Sequence, residues 1–265
     1  MATLTAYLNG IGLLAPGLAD WPSSRAVLNG EQPYQAQPAV LPLPTLLPAA
    51  ERRRSGALVR LTLATGLAAT NAAGVNPTAL PCVYTSSGGD GQNCHEICQT
   101  LASDDRHISP TRFHNSVHNA AAGYWGIATG AMTPISVLAA FDASFSAGLL
   151  ETLALVAVDR VTALLIACDT PYPEPLHQVR PIPDIFGIAI VLAPIASQHS
   201  FAKISVSLTS ETAQTLQQTE LERMRLTIPA ARSLPLLRVL AQCQEARVIL
   251  DYLEQTRIAV DVTPC

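Results

Sequence analysis

The residues with the most chemical potential gather between Thr111 and Leu150, in TRFHNSVHNAAAGYWGIATGAMTPISVLAAFDASFSAGLL. His114 and His118 stand four apart, beside Asn115 and Asn119. On a helix that spacing puts both imidazoles on one face. As metal ligands they lack a third partner, and as bases they need a nucleophile. Ser116, Ser144 and Ser146 are the candidate hydroxyls, but none lies in a GxSxG elbow. Hydrogen bonding at a subunit boundary is the plainer use of the pair. Asp142 sits where a short β-type run, Ile135 to Ala139, gives way to a helix. A carboxylate there is expected to cap that helix. The alternative is a base that holds a water or a proton. A helix N-terminus favours the ionised form and so opposes the raised pKa a base needs.

Other clusters carry less. Cys94-His95-x-x-Cys98 has the look of a metal half-site, but no second CxxC or HxxxC completes a tetrahedral shell. No metal and no cofactor is expected. The loop SSGGDG, Ser86 to Gly91, fits neither GxGxxG nor GxxxxGK[ST], so tight packing explains its glycines better than phosphate binding. Arg52-Arg53-Arg54 reads as a solvated helix end, or as a landing site for an acidic partner. Tyr124 and Trp125 read as packing or interface anchors.

These groups must be held by a recognisable order of elements. Thr3 to Leu14 reads as a strand ending in an Ala-Pro-Gly turn, and Trp21 to Gly30 as a short helix. Five prolines between Pro33 and Pro48 make an irregular covering segment. Glu51 to Ala73 has helical apolar spacing and stops at Gly74. A short strand, Leu80 to Thr85, and a helix, Gln92 to Ala102, follow. Ala120 to Ala128 is small and apolar, and Gly130 and Pro134 break any helix after it. Ile135 to Ala139 is expected to be a strand buried on both faces. Ala143 to Val158 is apolar around most of its circumference, so it belongs inside the molecule. Val161 to Cys168 and Ile185 to Ala193 read as buried strands, separated by a loop with five prolines. Ala202 to Leu208 is expected as a strand at the sheet's rim. Thr212 to Arg225 is polar and expected to be mobile. Leu234 to Ala246 reads as a helix, and Arg247 to Val262 as one or two final strands. Strands alternate with helices, which predicts a layered α/β fold with a mixed sheet.

The 265 residues are 49% hydrophobic and only 14% charged, with a net charge of -4. A large buried interface and an Ala-rich core both account for that balance. There is no long basic stripe, which argues against nucleic-acid binding. The N-terminal MATLTAYLNGIGLL has no Lys or Arg ahead of its apolar residues and alternates as a strand does, unlike a signal peptide. Phe113 to Phe141 is uncharged and long enough to span a bilayer, but His114, Asn115, His118, Asn119 and Pro134 argue against insertion. A cytoplasmic protein with six free cysteines is expected.

In order, these pieces resemble the N-terminal half of the β-ketoacyl synthases, condensing enzymes of the thiolase-like fold. TLTAYLNGIGLLAPG is similar to the family's first strand with its "GIG…P" ending, and VYTSSGGDG to the strand and glycine loop after its first long helix. SPTRFHNSVHNAAAG resembles the "SP…PN…AAG" segment, and TPISVLAAFDASF the "GPNLAVSTACASG" nucleophile strand and elbow. FGIAIVLA resembles the later "EGAGVLVLE" strand, and the likeness covers residues 3 to about 208. It implies a single β-ketoacyl synthase N-terminal-like domain over 1–265. Residues from about 209 to 265 would form a divergent extension. The implied fold is a mixed, five-stranded-type sheet around a buried central helix.

There are two departures. Counted from Pro134, the family's nucleophilic cysteine falls on Asp142, and the half that carries the family's catalytic histidines has no counterpart. A cysteine at a helix N-terminus is activated as thiolate. An aspartate there would attack a thioester to give an anhydride, which lies uphill, so it holds no stable acyl intermediate. The resemblance therefore implies a chain length factor of the type II polyketide and aryl polyene kind, with no catalytic residue of its own. Such a subunit pairs with a full-length ketosynthase as a heterodimer and shapes its acyl tunnel. The pairing strand would carry Ile135, Val137 and Phe141. Arg112, Phe113, His114, Asn115, His118 and Asn119 would line the partner's tunnel. Acyl carrier protein would be met directly, at Arg52, Arg53 and Arg54, or through the partner. The alternative is a stand-alone enzyme for acyl transfer or malonyl decarboxylation on acyl carrier protein.

Overall fold

In the computed structural model, which describes residues 3–265, the chain forms one eight-stranded mixed sheet covered by helices on both faces. The strands are β1 (Leu4–Leu14), β2 (Cys82–Thr85), β3 (Ile135–Leu138), β4 (Ala163–Asp169), β5 (Phe186–Ala193), β6 (Ala202–Thr209), β7 (Ala246–Leu250) and β8 (Arg257–Pro264). Their order is β3-β2-β4-β5-β1-β6-β8-β7. β2 runs parallel to β3 and β4, and every other pairing is antiparallel. The resemblance implies a sheet of five-stranded type; the observed sheet is larger, with the strands from β3 to β1 as five neighbours inside it and β6 beside β1. Residues beyond 209 carry the sheet on by adding β8 and β7 to β6.

Burial explains the strand assignments. Every residue of β4 and β5 is buried, as unbroken aliphatic runs demand when both sheet faces are covered. One face is covered by α3 (Ala57–Ala72) and α6 (Ala120–Thr129), with Leu61, Trp125, Leu164 and Val191 in their core. The other is covered by α7 (Ser144–Ala154), α9 (Thr219–Thr227) and α10 (Leu234–Gln242), with Phe145, Leu149, Leu165 and Leu237 in theirs. The smaller helices are α1 (Trp21–Leu28), α2 (Ala49–Arg54), α4 (Gly91–Ala102), α5 (Pro110–His114) and α8 (Leu176–Val179). Two glycines allow the layers to close. A Cβ on Gly12 of β1 would lie 1.9 Å from the Thr65 carbonyl oxygen of α3, and one on Gly148 of α7 would lie 2.4 Å from Thr85 Cγ2.

Several expectations need correction. The helix expected over Glu51 to Ala73 is two, because Ser55 and Gly56 are extended and packed beside the Asp90 carboxylate. β3 is not buried on both faces. It is the sheet's edge and is half-buried throughout. β6 is not at the rim, because β8 pairs along its whole length. The polar Thr212 to Arg225 segment contains the first turns of α9, tied down by a buried Arg225 between Glu222 and Asp251. The central helix ends at Ala154, then widens into a π turn over Leu155–Asp159 that stops at left-handed Arg160. Phe141–Asp159 is the one helical stretch among the described residues long and apolar enough to cross a membrane, and α7 is packed against β2 and β4.

Candidate functional site

β2, β3 and β4 are parallel, so their carboxyl ends lie on one side of the sheet. That is where α/β sheets present loops for function. Four segments converge there. The glycine loop Ser86–Gly91 follows β2, and a single 3-10 turn, Phe141–Ala143, follows β3. Asp169 ends β4, and a second 3-10 turn, Pro229–Ser233, comes in from the C-terminal part.

Asp142 lies at the start of the buried central helix, as expected, but it does not cap it. Neither the 3-10 turn nor α7 receives a side-chain cap. Both carboxylate oxygens are instead taken by arginines. Arg180 donates to Oδ1 at 2.9 Å and Arg232 to Oδ2 at 3.2 Å. A guanidinium is a stronger partner for a carboxylate than a backbone N–H, because donor and acceptor are both charged. The local turn is closed by Ser144, whose hydroxyl accepts from Ala140 N–H at 3.1 Å and donates to the Phe141 carbonyl at 2.7 Å. The ion pairs continue from Arg232 to Asp251, from Asp251 to Arg225 and from Arg225 to Glu222.

Beneath this chain lies Asp169, 2% exposed. It accepts from Ser87 N–H at 2.7 Å, Ala230 N–H at 2.8 Å and the Ser86 hydroxyl at 3.4 Å. Burial pushes its carboxyl up to about 6, and the hydrogen bonds and the nearby Arg180 charge offset only part of that. One buried carboxyl thus fastens the glycine loop and the C-terminal turn to the end of β4. Packing, not phosphate, accounts for that loop: a Cβ on Gly88 would lie 1.8 Å from the Tyr172 hydroxyl oxygen.

The Arg112–Asn119 segment does not present two imidazoles side by side. His114 meets the Tyr124 ring edge-on with centroids 6.4 Å apart, whereas a His118 ring nitrogen lies 2.9 Å from the Ser86 carbonyl oxygen. α5 ends at His114, so the two histidines share no helix face. Asn115 donates to the Arg54 carbonyl and accepts from the Tyr124 hydroxyl. Arg112 pairs with Glu96, Phe113 is 68% exposed, and Asn119 precedes α6 without capping it. The serines are committed as well. Ser116 donates to the Phe113 carbonyl and Ser146 to the Asp251 carbonyl. Tyr124 and Trp125 are buried packing residues. Among the described residues no three His, Cys, Asp or Glu side chains cluster as metal ligands, and all six cysteines are free.

Of the remaining predicted residues, Ile135 and Val137 are partly buried against the α3/α6 core, and Phe141 is exposed at left-handed φ 51°. Arg52 donates to the Leu47 carbonyl, Arg54 pairs with Glu51 at 3.2 Å, and Arg53 is exposed. Arg180, Arg232 and Asp169 were not singled out from sequence. The two arginines stand 38 and 90 residues from Asp142, and no local pattern signals such a contact.

The chain is similar in fold to solved members of ketosynthase assemblies. It matches a chain of a ketosynthase in complex with its chain length factor from Xenorhabdus doucetiae at TM-score 0.73 and 22% identity, over 97% of this chain and 99% of that one. It matches a chain of the ishigamide ketosynthase/chain length factor at TM-score 0.70 and 13% identity, over 98% and 99%. A third match is a type II polyketide synthase acyl carrier protein in complex with its ketosynthase bound to the hexaketide. There the TM-score is 0.71 and the identity 8%, over 100% of both chains. No curated protein sequence matches the chain. The family model for the β-ketoacyl synthase N-terminal domain matches residues 21–250, so the chain belongs to the β-ketoacyl synthase family.

Proposed function

We propose that this protein is a catalytically silent chain length factor. It pairs with a full-length ketosynthase as a heterodimer and shapes that partner's acyl tunnel in type II polyketide or aryl polyene synthesis, in the cytoplasm. The observation that carries the proposal is the state of the elbow. Asp142, which the resemblance puts at the seat of the family's nucleophile, is a carboxylate whose two oxygens are both engaged by arginines. Such a group lacks the chemistry to hold an acyl chain as a stable thioester-like intermediate, and its two oxygens are committed to fixing Arg180 and Arg232.

The two edges of the sheet support the pairing. β7 is guarded: Gln214 N–H donates to the Ile249 carbonyl, and Arg247 on β7 is paired with Glu211 and Asp261. Among the described residues β3 has β2 as its only strand neighbour, and it carries no charged residue. Natural sheets blunt an edge that stays exposed and leave open one that will be paired. Met132, 94% exposed, and Phe141, 64% exposed, flank β3 at its two ends. Arg112 to Asn119 is the segment assigned to the partner's tunnel. Carrier protein is assigned to the ketosynthase side, with Arg52 to Arg54 as the direct alternative.

The test is co-expression with a full-length ketosynthase from the same organism, followed by tagged purification and a decarboxylation assay. A one-to-one complex is expected, with no CO2 released from malonyl-carrier protein by this chain alone. A monomer that ignores the ketosynthase overturns the pairing. CO2 release by the isolated chain overturns the silence.

A further inference from the structure

Phe141 is expensive for the isolated chain in two ways. Its backbone is left-handed at φ 51°, a region that non-glycine residues with bulky side chains avoid. Its ring is also 64% exposed, so the strain is not recovered by burying apolar surface. The ring is nevertheless held in place. The Arg180 guanidinium lies 3.4 Å from the ring centroid, covering one face. Arg180 is itself fixed by Ser87 Oγ at 2.7 Å and Asp142 Oδ1 at 2.9 Å. Within this chain the strained, solvent-facing ring recovers only the cation–π contact with Arg180, and its other face is left open.

We infer that Phe141 is the anchor of the subunit interface: an aromatic wedge, braced by Arg180, that fills an apolar pocket on the ketosynthase subunit. This rests on the pairing proposed above, and the geometry adds which residue dominates it. Phe141 lies three residues beyond the end of β3, so a subunit seated along that open edge meets the ring as the edge ends. Braced aromatics near the centre of an interface commonly dominate its binding energy, because little side-chain freedom is left to lose. The brace also gives Asp142 a use that needs no chemistry: its carboxylate holds the guanidinium that holds the ring.

The experiment measures two quantities on the full chain, thermal stability alone and Kd for a full-length ketosynthase from the same organism. Phe141→Asn replaces the ring with a residue that tolerates the left-handed region, and Phe141→Ala removes the ring but keeps the strain. The Asn variant is expected to melt ~2–4 °C above the Ala variant, the order expected for about 1 kcal/mol of relieved strain in a chain of this size. Both variants are expected to bind the ketosynthase ~10–100-fold more weakly than wild type. Wild-type binding matched by both variants overturns the anchor but leaves the pairing standing. No binding by wild type overturns the pairing itself. An Asn variant that melts below the Ala variant overturns the claim that the backbone is strained for the partner's sake.

Discussion

Replacing Asp169 with asparagine should change how stability depends on pH. In the folded chain this carboxyl is buried and titrates at about 6, against a usual 3.8. A raised folded pKa means that the native state holds the proton more tightly than the unfolded chain does. The contribution is therefore fully present below about pH 3.8 and is lost as pH rises through about 6. At about 1.4 kcal/mol per unit, the roughly two-unit displacement is worth about 3 kcal/mol across that window. Asparagine has nearly the same shape and does not titrate. Its single amide oxygen cannot serve both Ser87 N–H and Ala230 N–H, so the variant loses a further ~1–3 kcal/mol at every pH. Urea unfolding of both proteins at half-unit steps from pH 4 to 7.5 supplies the difference curve, in which the other carboxylates cancel. Wild type should exceed the variant most at pH 4, and the gap should shrink by about 2.4 kcal/mol by pH 7, because part of the contribution is already lost at pH 4. A flat difference curve, or one that widens with pH, would refute the assignment of a burial-raised carboxyl at the end of β4.

Three further outcomes test other parts of the structure. Gly12→Ala places a methyl 1.9 Å from the Thr65 carbonyl oxygen. Backbone cannot step aside as a side chain can, so a loss of about 3 kcal/mol or no soluble protein is expected on thermal unfolding. Arg225→Met leaves Glu222 and Asp251 facing each other without the guanidinium between them, and should cost about 3 kcal/mol by denaturant titration. A cost below ~1 kcal/mol would mean that solvent screens the network. Met132→Asp changes a residue that is 94% exposed, so stability should hold within about 0.5 kcal/mol while ketosynthase co-purification falls at least tenfold.

Much of the sheet was legible from residue order. β4 and β5 are unbroken aliphatic runs, and a strand buried on both faces leaves that mark whatever its neighbours are. β3 has the same composition and was misread, because being an edge is a property of the assembled sheet and not of ISVL. β6 was misplaced for the converse reason: its half-polar alternation suits a rim, yet β8 covers it. α9 was hidden by its charges. A helix with Glu220, Glu222, Arg223 and Arg225 looks solvated until Arg225 is seen to turn inward. The position of Asp142 at the mouth of the central helix was legible from the change of a β-type run into an apolar helix there, but its partners were not. Arg180 comes from a proline-rich loop and Arg232 from a 3-10 turn in the C-terminal part, and each is brought there by tertiary folding alone.

Those distant partners bear on the proposed silence: on that reading, a thiol placed at residue 142 still leaves the chain short of a condensing enzyme. A thiol placed there would sit between the Arg180 and Arg232 guanidiniums, and their charge would favour its thiolate. Condensation also needs the thioester carbonyl polarised and the malonyl carboxylate released, which the family assigns to imidazoles. The two histidines of the Arg112–Asn119 segment are engaged elsewhere, His114 with Tyr124 and His118 with the Ser86 carbonyl. Arg232 is shared with Asp251, and Asp251 with Arg225, so the elbow and residues beyond 209 form one electrostatic unit. Removing the carboxylate unbalances that unit before any new chemistry is gained. An elbow built this way holds two parts of one chain together, and its negative charge at position 142 is the tie.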